Sequence, residues 1–221
     1  MYQRDRWRTT ILIFCFAAFI ALGISVNAHA FGSLDKSVAY WFQQRITPAR
    51  TIFAFVITQV GSDVFTLAAT AVIALYLRKR YRYWYERLLI TVVGGMILNE
   101  ILKFVFYRQR PNFFHPLQHL YTNSFPSGHT VSAMVLFGML IILTPLFTPS
   151  RLVHISVIAF AIVMIVLVAG SRIYLGVHYF SDIIGGLLEA VGWINGVGII
   201  LDRKYAASTS LTRRYGTSGS S

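Results

Sequence analysis

Long apolar runs separated by short polar interruptions set the pattern of this chain. Six of them, at about 9–28, 56–77, 88–107, 129–147, 152–171 and 182–201, reach or approach the length of about 20 helical residues that spans a hydrocarbon core. The pattern therefore predicts an all-α protein, an integral membrane bundle of six transmembrane helices within residues 1–204. The polar tail 205–221, ending "GTSGSS", is expected to be disordered and cytoplasmic. Between the first two spans, the loop 29–55 carries Leu34, Val38, Trp41 and Phe42 at helical spacing, which predicts an amphipathic helix lying on the membrane surface. Gly61-Ser62 marks a start for the second span and leaves Asp63 either at its mouth or inside it. Gly192 and Gly196 in the last span predict close helix packing.

Composition strengthens this reading. The chain has 221 residues, 56% hydrophobic and 13% charged, where a soluble domain is about half apolar and about one quarter charged. So many spans leave no room for a soluble domain. The single cysteine, Cys15, lies inside the first span, so neither a disulfide framework nor a cysteine metal site is expected.

Net charge is +12, and its distribution argues against nucleic acid as a partner. Six spans put both termini on one side. That side holds thirteen cations: Arg4, Arg6, Arg8, Arg78, Lys79, Arg80, Arg82, Arg87, Arg151, Arg203, Lys204, Arg213 and Arg214. The other side holds seven: Lys36, Arg45, Arg50, Lys103, Arg108, Arg110 and Arg172. The positive-inside rule makes the richer side cytoplasmic, for a multi-pass protein of the inner (cytoplasmic) membrane with both termini inside. The "RKRYRYWYER" segment is then a juxtamembrane belt. The N-terminal stretch through Ala28-His29-Ala30 resembles a signal peptide, but its apolar run is long for one, so a retained first helix is expected.

The side that should be poor in charge carries three polar clusters. Lys103 is followed by Arg108, Arg110 and Pro111; "SFPSGHT" opens the fourth span; and "GSRIYLGVHYFSD" joins the fifth and sixth. Singly, each has a plain explanation. Lys103 and Arg172 read as snorkelling side chains, Ser127 as an N-cap, and Ser181 with Asp182 as a cap for the last span. Together they are an inventory for phosphoryl chemistry. Three cations and a helix N-terminus suit a multiply charged oxyanion. Two histidines add acid–base or nucleophilic capacity, and a carboxylate four residues after one of them can fix its tautomer. His115 and His119 acquire no role, and no metal site or other cofactor is evident.

These residues resemble the signatures of the type 2 phosphatidic acid phosphatase (PAP2) superfamily of membrane lipid phosphatases. K-x6-R-P matches Lys103 to Arg110-Pro111, P-S-G-H matches Pro126-Ser127-Gly128-His129, and S-R-x5-H-x3-D matches Ser171-Arg172, His178 and Asp182, in order and without substitution. The resemblance implies a PAP2-like core and a phosphohistidine mechanism. His178 is then the nucleophile, Asp182 orients and activates it, and His129 is the general acid. Lys103, Arg110, Ser127, Gly128 and Arg172 bind phosphate. The implied substrate is a phosphorylated lipid at the periplasmic or external face: undecaprenyl pyrophosphate, phosphatidylglycerophosphate, phosphatidic acid or lipid A phosphate. The motifs read only the phosphate and leave the lipid open.

Two alternatives remain at this point. A lipid phosphotransferase shares the first half-reaction. A transporter is suggested by Glu100 and Glu189 inside spans, although Glu100 is placed to pair with Lys103 and Glu189 lies on the helix face below Asp182. The sequence leaves the oligomeric state open.

Overall fold

A computed structural model of the chain describes residues 2–112, 116–118, 120 and 122–215, with side chains described between residues 6 and 207 of that set. His115 and His119 lie outside the described residues. Among the described residues eight helices follow in order: α1 (Tyr2–Asn27), α2 (Gly32–Gln43), α3 (Pro48–Val60), α4 (Asp63–Leu77), α5 (Arg82–Phe106), α6 (Gly128–Phe147), α7 (Arg151–Tyr174) and α8 (Phe180–Tyr215). Five are long and apolar enough to cross a membrane, and α3 with α4 makes a further span if the bent pair is counted as one.

That pair corrects the expected second span. Residues 48–55, assigned to a loop, belong to α3, and the break at Gly61-Ser62 bends the path by 44°. Thr47 caps α3 and Pro48 occupies its first turn, where the missing N–H costs nothing. Ser62 caps α4. At Gly61 a Cβ would come 2.9 Å from the His129 carbonyl oxygen and closer still to Val168, so only glycine lets the bend sit against α6 and α7. Asp63 therefore lies at the kink, where Ser132 donates to it at 3.3 Å.

Helix α6, 20 residues and so about 30 Å long, is the centre of the bundle. It packs against α5, α7 and α8, and α1 lies along α8. Val131, Val135, Met139 and Leu143 of α6 meet Leu77, Leu88, Val92 and Ala190 in the largest core cluster. Gly192 and Gly196 let α1 approach closely, since a Cβ on them would meet Cys15 at 3.3 Å and Leu12 at 3.6 Å. Helix α2 forms as expected but docks on the bundle. Val38 and Phe42 pack on Ala169, Ile173 and Ile183, while Leu34 and Trp41 stay exposed. Helix α8 continues to Tyr215, and residues 216–221 of the tail lie outside the described residues. No Gly or Pro interrupts residues 205–215, and Gly216 is the first.

Candidate active site

Three backbone turns at one end of the bundle carry the site. Helix α5 stops where Tyr107 takes a left-handed conformation (φ 46°), which swings Arg108 and Arg110 back over the bundle. Ser127 occupies the N-cap position of α6, and its backbone N–H donates to the Asp182 carbonyl at 3.1 Å. Gly176, at φ 74°, closes the turn after α7 and delivers His178.

The cations are held differently from one another. Lys103 pairs with Glu100 at 2.5 Å, the pairing expected from their spacing. Arg110 donates to the carbonyl oxygens of Thr122 and Val177, both at 2.7 Å, and to the Thr122 hydroxyl at 2.8 Å. Arg172 is fully buried. Its Nη1 donates to Thr58 at 2.7 Å and Gln118 at 3.1 Å, while Nε and Nη2 have no partner. Among the described residues no carboxylate pairs with Arg110 or Arg172. A buried, uncompensated guanidinium costs several kcal/mol, and an oxyanion beside it offsets that cost.

His178 donates from Nδ1 to Asp182 Oδ2 across 3.2 Å. Its Nε2 lies 3.3 Å from Arg110 Nη1. A guanidinium can only donate, so Nε2 is the acceptor and the proton sits on Nδ1. Burial first, then Arg110, Arg172 and Lys103, hold the His178 imidazole well below its usual pKa. The ring is therefore neutral, with its lone pair on the nitrogen that faces the cations.

Asp182 is completely buried and does two jobs. As the third residue of α8 it accepts the Tyr179 backbone N–H at 2.9 Å, half of a capping box, and with the same oxygen it orients His178. The cap expected from sequence and the contact to His178 thus share one carboxylate oxygen. Its other oxygen is held by Arg108. Arg108 also donates to Asp35 at 2.8 Å and Ser181 at 2.8 Å, and stacks 3.9 Å over the Tyr179 ring. Asp35, 1% exposed on α2, in turn accepts the Ser181 backbone N–H at 2.9 Å and its hydroxyl at 2.7 Å. Sequence reasoning gave Arg108 no role and did not single out Asp35. The available signal was an acid beside a cation-rich rim, on a helix otherwise read as a membrane-surface element.

A cavity of roughly 630 Å³ collects Lys103, Arg110, Gly128, His129, Arg172 and His178. A Cβ at Gly128 would lie 3.1 Å from both Lys103 Nζ and Asn99 Oδ1, so a side chain there would crowd these two polar ends. Ser127 is buried and does not line the cavity. Its hydroxyl accepts from Thr130 at 3.0 Å instead of capping the helix. Asn99 lines the floor and donates to Glu189 at 2.9 Å, so Glu189 does lie beneath the site. Among the described residues no group of three or more His, Cys, Asp or Glu side chains is placed to hold a metal ion.

Comparison with known proteins places the family and the fold. The PAP2 superfamily pattern matches residues 84–205. Phosphatidylglycerophosphatase B of Bacillus subtilis is 29% identical over 181 residues, covering 77% of this chain and 85% of the relative. An undecaprenyl-diphosphatase of Sulfolobus acidocaldarius is 30% identical over 151 residues, 66% of this chain and 68% of its own. The crystal structure of a transmembrane PAP2-type phosphatidylglycerolphosphate phosphatase from Bacillus subtilis superposes with a TM-score of 0.79 at 27% identity, covering 87% of this chain and 96% of that one. By sequence and by fold, this chain belongs to the PAP2 superfamily and is a multi-pass membrane phosphatase.

Proposed function

We propose that the enzyme hydrolyses the phosphate or pyrophosphate headgroup of a lipid through a phosphohistidine, at the periplasmic or external face. The observation that carries this reading is Arg172, buried beside the cavity with two unpartnered guanidinium nitrogens and no paired carboxylate. Lys103, Arg110 and the backbone N–H groups opening α6 at Gly128 complete a cradle for phosphate oxygens. Ser127 contributes by fixing that turn rather than through a side chain in the cavity. A lipid is favoured because the same cavity is walled by Leu67 of α4 and Val93, Met96, Ile97 and Phe104 of α5. Ile97 and Phe104 are themselves exposed on the outside of the bundle. The headgroup then meets the cations while the tail remains among apolar side chains. The face assignment rests on the cation asymmetry of the two loop sets.

In the reaction, His178 Nε2 attacks phosphorus and the bond to the lipid oxygen breaks. His129 gives its proton to that oxygen. Water then attacks the phosphohistidine and gives a proton back to His129, releasing inorganic phosphate as the N–P bond breaks and restoring both histidines. Arg110 exchanges its contact with Nε2 for a phosphate oxygen as substrate enters, which frees the lone pair. The fixed cations stabilise charge developing in the transition state.

Arg108 and Asp35 are positioning residues in this scheme. Arg108→Gln removes a charge-assisted contact to Asp182 that is worth about 1.5–3 kcal/mol. We expect kcat to fall about 10–100-fold with KM changed less than about threefold, and Arg108→Lys to restore part of the loss. A purely structural role would lower the active fraction and leave kcat per folded molecule unchanged.

The overall reading is tested by phosphate release from undecaprenyl pyrophosphate, phosphatidylglycerophosphate, phosphatidic acid and lipid A phosphate in detergent, with EDTA present. Release from at least one of them, undiminished by EDTA, is expected. Activity abolished by EDTA contradicts the mechanism. Transfer of labelled phosphate to a second lipid without free phosphate makes the enzyme a transferase.

A further inference from the structure

A second basic cavity lies at the opposite end of the bundle, where α1, α5, α6 and α8 meet. It encloses roughly 500 Å³ and contains two guanidiniums, Arg8 and Arg87, against one carboxylate, Asp202. Arg8 donates to Asp202 at 2.5 Å, and the Tyr83 hydroxyl donates to the other Asp202 oxygen. Arg87 is 3% exposed and donates from Nη1 to the Tyr83 oxygen at 2.9 Å, but its Nε has no partner. Among the described residues, no carboxylate lies within ion-pair distance of Arg87. The neighbouring acid Glu86 is already held by Arg82 at 3.1 Å and Lys204 at 2.7 Å.

The backbone makes room for this arrangement. A Cβ at Gly198 would lie 2.9 Å from Arg87 Nη2 and 3.4 Å from Arg8 Cζ, so both guanidiniums rest on one glycine of α8. Like charges this close repel, and burying one of them without a counter-ion costs several kcal/mol. A bound anion relieves both terms. The opposite wall is apolar, built from Trp84, Ile142, Pro145 and Leu146. The site sits at the end of the apolar stretch of each helix, the level of lipid headgroups, where tryptophan is also favoured. A guanidinium fork fits phosphate oxygens, and at that depth the abundant oxyanion is a lipid phosphate.

We propose that this cavity is a phosphate-recognising site separate from the catalytic one, taking the phosphodiester of an anionic phospholipid with its acyl chains along Ile142 and Leu146. The phosphate lies between Arg87 Nε and Arg8, and the lipid acts as a structural ligand that ties α1 to α5 and α8. The proposal does not depend on the chemistry at the other end.

The test is thermal unfolding of the full chain in detergent, followed with a thiol-reactive dye. The reporter is Cys15, the only cysteine and a buried one. Phosphatidylglycerol, and not phosphatidylcholine, is expected to raise the midpoint in a saturable manner. Arg8→Gln and Arg87→Met should each raise the half-saturating phosphatidylglycerol concentration about tenfold or more, the loss of one charge-assisted contact. Arg110→Gln, in the catalytic cavity, should leave it unchanged. Should Arg87→Met fail to fold, Arg8→Gln carries the test, and its phosphate release in detergent is expected to stay at the wild-type rate, which shows that it is folded. Loss of the shift in Arg110→Gln with retention in Arg8→Gln places the headgroup in the catalytic cavity and overturns the proposal. An equal shift with inorganic phosphate alone assigns the site to the free ion and overturns the lipid.

Discussion

Replacing His178 with alanine is expected to lower turnover by about 10⁴-fold or more while the protein still inserts and elutes as the wild type does. The size of the effect follows from the local geometry. His178 presents an unprotonated ring nitrogen to the cationic cradle, because Arg110 can only donate to Nε2 and Asp182 holds the Nδ1 proton. Burial keeps the ring neutral, so the lone pair is available without a separate deprotonation step. Alanine leaves Lys103, Arg110 and Arg172 in place, so phosphate should still bind and KM should change far less than kcat. A second readout tests the covalent step directly. Wild-type enzyme quenched during turnover should carry acid-labile, alkali-stable label from a ³²P-headgroup substrate, and His178→Ala should carry none. Turnover within tenfold of the wild type, or labelling that survives the substitution, removes His178 from the role of nucleophile.

Asp182→Asn is expected to be nearly as damaging, with kcat down about 10³–10⁴-fold. The two carboxylate oxygens together receive three donors: His178 Nδ1, the Tyr179 N–H and the Arg108 guanidinium. Asparagine has one oxygen and an NH2 group. With its oxygen turned to Arg108, the NH2 faces Nδ1 and moves the ring proton to Nε2, the atom that must attack. With its oxygen turned to His178, two donors face each other at Arg108. The substitution also leaves Arg108 with Asp35 as its remaining acid and should lower the melting temperature, since breaking a buried pair costs about 3–5 kcal/mol. Kinetics are therefore to be compared below the lowered midpoint. Wild-type kcat in a folded Asp182→Asn enzyme would sink the idea that this carboxylate sets the tautomer.

The three signature clusters were legible because they are local in sequence. Each is a helix end where polar residues interrupt an apolar run, and the apolar lengths fix how many crossings separate them. The pairing of Glu100 with Lys103 and the close approach at Gly192 and Gly196 were readable for the same reason: helical periodicity alone places those side chains. The start of α4 at Ser62-Asp63 was legible as well. The preceding stretch, 48–55, was not. Its apolar run is broken by Gly61, and only the packing of that glycine against α6 and α7 makes the two segments a bent pair.

The sequence by itself determined an all-helical membrane protein and the three polar clusters proposed to meet phosphate, since hydropathy and short-range spacing specify both. The tertiary structure decided what surrounds them. Ser181 and Asp35 stand 146 positions apart, and Arg108 reaches Asp182 across 74, so no periodicity in the chain links them. It also decided that Ser127 turns to Thr130 instead of the cavity, and that Arg172 keeps unpartnered donors while Arg108 is paired with two carboxylates. A buried charge is defined by what lies within a few ångströms of it, and in a bundle those neighbours come from different helices. Residue type fixed which groups can bind an oxyanion; packing fixed which of them are still free to do so.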